Sequence, residues 1–141
     1  MTTAVSQVSK PTLGTIWRNG LIAIVVAAVV NAVLYFIGAA VGWMPDTVLS
    51  PMGLPITIVP VIASTVVALV VATIVYSILN RFTGNPNRWF TIIAVIVLVV
   101  SAVSPLSLPG APTMMIVLLE VMHLVAGIAA IYFLRQSHVN V

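Results

Sequence analysis

The chain has 141 residues, of which 62% are hydrophobic and only 5% are charged. Soluble domains are about 45–50% apolar and about 25% charged, so this composition excludes a water-soluble protein and predicts an integral membrane protein of the lipid bilayer. The net charge of +3 is scattered, which excludes a nucleic-acid-binding surface, and the absence of cysteine excludes disulfides and thiol nucleophiles.

The first predicted element is a transmembrane helix over about 21–42, after a polar N-terminal segment. A cleaved signal peptide is the alternative, but its apolar region would be only about 7–15 residues long, so we expect a retained helix. Small and polar residues share one stripe of this helix and predict a packed face. They are Ala27, Asn31, Tyr35, Gly38 and Gly42, and the last two match a weak helix-dimerisation motif.

Two further helices are predicted over about 57–80 and 89–104. The earlier one carries Ser64, Ala68 and Ala72 four residues apart, with Thr65 beside them, which predicts a packed face. The later one is apolar all round, so we expect it to face lipid. At about 1.5 Å per residue it reaches only about 24 Å, so either it extends toward Leu108 or the bilayer thins there.

The fourth predicted helix covers about 113–134 and contains the one acid–histidine pair within a predicted span, Glu120 and His123. With Gly127 they form a stripe that we expect to face the bundle interior. A charged carboxylate at a helix centre costs about 2.5–3.5 kcal/mol, so Glu120 is expected either to be protonated or to form an ion pair with His123.

These segments predict an all-α, four-helix transmembrane bundle with both termini in the cytoplasm. All five Lys and Arg residues fall on one side of such a bundle, which the positive-inside rule places in the cytoplasm. The predicted layout is a flexible cytoplasmic N-terminal tail over 1–20, a transmembrane domain over 21–134 and a cytoplasmic C-terminal tail over 135–141. His138 is expected to be solvated in that last segment.

The candidate site is an intramembrane polar cluster at similar depths in three helices. Its predicted members are Glu120, His123, Asn31, Tyr35, Ser64 and Thr65. We expect Asn31 and Tyr35 to approach Glu120 and His123, because the first and fourth helices are antiparallel. The alternative is that Glu120 bonds Ser64 or Thr65.

Three interpretations of this cluster remain open. It could be a structural polar clasp between helices, a path for protons or a substrate, or a ligand set for a metal or haem. A Glu-x-x-His pair occurs in di-iron bundles, but those need several more carboxylates and a second such pair. The sequence therefore predicts no metal site, no cofactor and no catalytic residue.

Three segments resemble a bacterial family of small four-span membrane proteins without assigned function, domain-of-unknown-function family 6069. They are WRNGLIAIVVAAVVNAVLYFIG, RFTGNPNRWF and LLEVMHLVAGIAAIYFLR. The resemblance implies a helical bundle in a bacterial inner membrane and recurring Asn and His residues, corresponding to Asn31 and His123. It implies no reaction.

The sequence thus favours a small, non-catalytic structural or accessory membrane protein of the inner (plasma) membrane. It would pack against copies of itself or within a larger membrane complex. The alternative is a transporter-like or proton-coupled protein that uses the Glu120–His123 pair together with Asn31 and Tyr35.

Overall fold

The computed structural model describes residues 10–138. It confirms the all-α prediction, with four apolar helical stretches long enough to cross a membrane. The elements are α1 (Leu13–Ala40), α2 (Ile58–Phe82), α3 (Pro86–Ser101), the short α4 (Val103–Leu106), α5 (Thr113–Arg135) and a final 3₁₀ turn (Gln136–His138). The only β pairing among the described residues is one isolated bridge in the loop between α1 and α2.

Helix α1 begins at Leu13, inside the segment predicted to be a flexible tail over 1–20. Thr12 caps this end, since its Oγ1 accepts a hydrogen bond of 3.2 Å from the backbone N–H of Thr15. At 28 residues α1 is about 42 Å long, whereas the hydrocarbon core is about 30 Å thick. The first turns can therefore lie at the headgroups, where Arg18 is tolerated. Residues 1–9 and 139–141 of the predicted tails lie outside the described residues.

The third apolar stretch is longer than its unbroken helix. α3 ends at Ser101, and the chain continues through a break into α4, so that the stretch covers Pro86–Leu106. Pro105 has no N–H to donate to the carbonyl four residues earlier, which accounts for a break near Ser101. The extension agrees with one of the two expectations for this span. Only 11% of its most apolar window is buried, against 33% for the stretch Thr113–His138 that contains α5, so it lies at the periphery of the bundle.

Helix α1 packs against both α2 and α5, and glycines allow the close approach. A Cβ on Gly20 would overlap the side chain of Thr73 in α2, and a Cβ on Gly38 would overlap that of Leu118 in α5. Gly42 differs from the prediction, because it lies beyond α1 with a φ of +78°. It closes the helix end as a Schellman cap, with N–H groups of Gly42 and Trp43 donating to the carbonyls of Ala39 and Gly38 over 3.1 and 2.8 Å.

Two ends of the bundle are distinguished by charge. One end carries Lys10, Arg18, Arg81, Arg88 and Arg135, and we call it the basic end. There the Lys10 ammonium donates hydrogen bonds of 2.9 and 3.1 Å to the carbonyls of Asn80 and Thr83, which ties the N-terminal segment to the end of α2. At the opposite end, the loop between α1 and α2 folds back, and Met44 and Val48 are buried in a cluster with Met115.

Candidate functional site

Asn31 of α1 is a buried polar side chain within a membrane-spanning helix, and it is 1% exposed. Its Nδ2 donates to Thr65 Oγ1 of α2 over 3.0 Å and to the carbonyl oxygen of Met122 in α5 over 3.3 Å. One amide therefore joins three helices. We call Asn31, Thr65 and the Met122 carbonyl the Asn31 clasp.

The orientation of the Asn31 amide follows from its partners. A carbonyl oxygen can only accept, so the group that faces Met122 must be the NH₂. The hydroxyl of Thr65 in turn donates to the Val61 carbonyl over 2.8 Å. Both amide hydrogens are thereby used, while Asn31 Oδ1 is buried without a hydrogen-bond partner among the described residues.

His123 does not bond Asn31 in the structure. Its Nδ1 lies 2.7 Å from the carbonyl oxygen of Leu119, one turn back on α5. Since that carbonyl can only accept, Nδ1 carries the hydrogen, and Nε2 of the neutral ring is left as an acceptor. Within residues 10–138, Nε2 has no hydrogen-bond partner. Asn31 and His123 thus each bond a backbone carbonyl of α5, those of Met122 and Leu119.

Glu120 is half-buried, and its Oε1 is buried without a partner in the described part of the chain. It lies seven residues before Gly127, so the two positions point within about 20° of each other on α5. A Cβ on Gly127 would lie 3.1 Å from the Leu98 side chain, so Gly127 faces α3.

Tyr35 lies among apolar side chains. It is half-buried against the cluster around Met115 at the end opposite the basic end. Its ring meets that of Phe36 edge-on, with the centroids 5.6 Å apart. Tyr35 is therefore placed with packing residues, one turn from Asn31.

A cavity of about 330 Å³ lies between α2, α3 and α5, with Asn31 at its edge. Four predicted site residues line it, namely Asn31, Ser64, Thr65 and His123. The lining does not include Glu120 or Tyr35. The small residues predicted to form a packed face of α2 also line the cavity, so they leave space there. The apolar lining includes Ala68, Leu69, Ala72, Phe90, Ala94, Leu98, Leu119, Ala126 and Ala130.

A second polar network, at the basic end, was not predicted. Asn19 Nδ2 donates to Ser137 Oγ over 3.0 Å, and both residues are buried. The hydroxyl of Tyr76 donates to Asn87 Oδ1 over 2.6 Å, which joins α2 to α3. His138 packs edge-on to Tyr76 and its Nε2 is buried, whereas the sequence predicted a solvated side chain.

A pattern in the sequence of α2 could have predicted a buried polar face at the basic end. Thr73, Tyr76 and Asn80 recur at spacings of three and four on α2, which places them on one face. All three are buried. The signal was missed because Asn19, Asn80 and Ser137 lie close to the predicted span boundaries, where polar residues are expected to meet water.

Comparison with known proteins gives one match. The sequence model of the Family of unknown function (DUF6069) matches residues 11–140. No curated protein and no solved structure matches this chain.

Proposed function

This chain belongs to the family DUF6069, and we propose that it acts as a non-catalytic accessory or structural subunit of the bacterial inner (plasma) membrane. The observation that carries the proposal is the Asn31 clasp. It uses both amide hydrogens of a fully buried side chain to hold α1, α2 and α5 together. A polar group used in this way fixes the register of the helices and gives a defined surface for association.

The partner is a second copy of the chain or a larger membrane complex. The peripheral α3 supports this assignment, because its outward residues Val95, Val99 and Val100 are exposed and can meet another helix without disturbing the clasp. A cytoplasmic orientation of the basic end is part of the proposal, and it is supported by the cations at that end.

The proposal is tested by the assembly state in native membranes. The tagged chain would be extracted directly into lipid nanodiscs and its mass measured by native mass spectrometry. We expect one defined assembly, either a homo-oligomer or a complex of fixed stoichiometry. Asn31→Leu should weaken it, and the exposed neighbour Val30→Leu should not. A monomer in every preparation would refute the proposal.

A second candidate, a proton-coupled protein, is favoured by one observation. The Oε1 atom of Glu120 is buried without a partner in the described chain, one turn from His123 at the cavity. Proteoliposomes with an internal pH dye would test it. Proton flux that is lost in Glu120→Gln and retained in Asp46→Asn, a change at an exposed loop acid, would replace the first proposal with this one.

A further inference from the structure

We propose that the cavity between α2, α3 and α5 binds a neutral, lipid-like alcohol or phenol. The hydroxyl would lie at the end of the cavity formed by Asn31 and His123, and the apolar body would lie between α2 and α3. The inference goes beyond the accessory role, since it assigns a ligand to a site within the subunit.

In the part of the chain that the structure describes, the polar end of the cavity has acceptors but no free donors. Its hydroxyl groups already donate to backbone carbonyls of their own helices, Ser64 and Thr65 to Val61 and Ser101 to Leu98. Asn31 Nδ2 and His123 Nδ1 are also engaged.

Asn31 Oδ1 and His123 Nε2 at this end have no partner among residues 10–138, and both can accept hydrogen bonds. Asn31 Oδ1 is moreover buried, and a buried acceptor without a partner is unfavourable, so a donor that reaches it is favoured. A ligand that donates a hydrogen bond matches this end of the cavity, whereas a ketone, quinone or ether does not.

The rest of the cavity selects an apolar body. The described residues that line it include no Lys, Arg, Asp or Glu, so a phosphate or ammonium headgroup would be buried there without a counter-charge. Ligand pockets are about 300–1,000 Å³, and about 330 Å³ is at the lower end of this range.

The cavity opens sideways toward the bilayer. Val71 of α2 and Val97 of α3 both line it, yet they are 52% and 59% exposed. An apolar ligand can therefore enter from the lipid between α2 and α3, and a tail longer than the cavity can remain in the bilayer.

The test uses the full chain in phosphatidylcholine nanodiscs, with histidine labelled with ¹⁵N. The probe is 4-hexylphenol, and its matched control is the methyl ether 4-hexylanisole at the same membrane concentration. We expect the phenol to shift the Nε2 resonance of His123 saturably and to leave that of His138 unchanged. The ether should bind about threefold to twentyfold more weakly, the range that corresponds to one intramembrane hydrogen bond.

A pair of variants on α2 supplies the second control. Ala68→Phe should fill the cavity and abolish the shift, whereas Ala63→Phe, exposed on the same helix but outside the lining, should retain it. Equal effects of phenol and ether, or a shift that persists in Ala68→Phe, would overturn the inference. The comparison of phenol with ether uses the unmodified chain, so it holds even if a variant misfolds.

Discussion

Asn31 and Thr65 form the link between α1 and α2 at mid-membrane, through a 3.0 Å hydrogen bond from Nδ2 to Oγ1. Thr65 makes a second hydrogen bond, since its hydroxyl donates to the Val61 carbonyl over 2.8 Å. Because hydrogen bonds in series polarise one another, each strengthens the next. The clasp thereby fixes the rotation of α1 about its axis, which keeps Gly20 and Gly38 against their neighbours.

His123→Leu should change stability little, by less than about 0.5 kcal/mol. The side chain of His123 bonds a carbonyl of its own helix, so its loss breaks no hydrogen bond between helices within residues 10–138. Unfolding in mixed micelles would measure the change. A loss as large as that of Asn31→Leu would mean that His123 holds the bundle together.

The sequence predicted the number of spans because twenty apolar residues in a row have few alternatives in lipid. It located the start of α1 poorly, because Arg18 and Asn19 look like solvated residues. In the structure Asn19 is paired with Ser137, which is 118 residues away and cannot be identified as a partner from local pattern.

The candidate site was predicted from the depth of its residues along the predicted helices. Depth alone does not determine which neighbouring helix a side chain faces. Asn31, Ser64, Thr65 and His123 share one cavity, as matched depth suggests. The direction of Glu120 depends on where α3 packs, and the uniformly apolar sequence of α3 gives no signal for that. The cavity was also unpredictable, because small residues mark tight contacts and empty space alike.

Gly20→Ala should destabilise the bundle, because the added Cβ would overlap the side chain of Thr73. Thr73→Ala in the same chain should restore most of the loss by making room. The control is Gly14→Ala, whose Cβ would lie 3.8 Å from Thr12 Oγ1, an ordinary van der Waals contact. It should stabilise α1 by up to about 0.5–1 kcal/mol, since alanine is the better helix former. Equal effects of the two substitutions would argue against close α1–α2 packing.

Gly42→Ala should lower the free energy of unfolding by about 1–2 kcal/mol, because an alanine at a φ of +78° is strained. Gly84→Ala is the control, as it has open space and no positive φ. The assembly state of Gly42→Ala should be unchanged, since Gly42 caps a helix. Loss of self-association at unchanged stability would favour the dimerisation motif instead.

Both ends of the chain should face the cytoplasm. Lys10 and Arg135 lie at the basic end together with the loop between α2 and α3, and cations favour the cytoplasmic side. Reporter fusions after residue 141, active only in the cytoplasm or only outside it, would measure this. An external C-terminus would contradict the orientation.

The most direct test of the Asn31 clasp is a double-mutant cycle of Asn31→Ala and Thr65→Val in lipid nanodiscs or mixed micelles. Thr65→Val keeps the shape of the side chain and removes the acceptor of Nδ2. If the clasp holds α1 to α2, the two losses are coupled by about 0.6 kcal/mol and by no more than about 1.7 kcal/mol. Losses that add within about 0.3 kcal/mol would contradict it, because independent sites behave in that way.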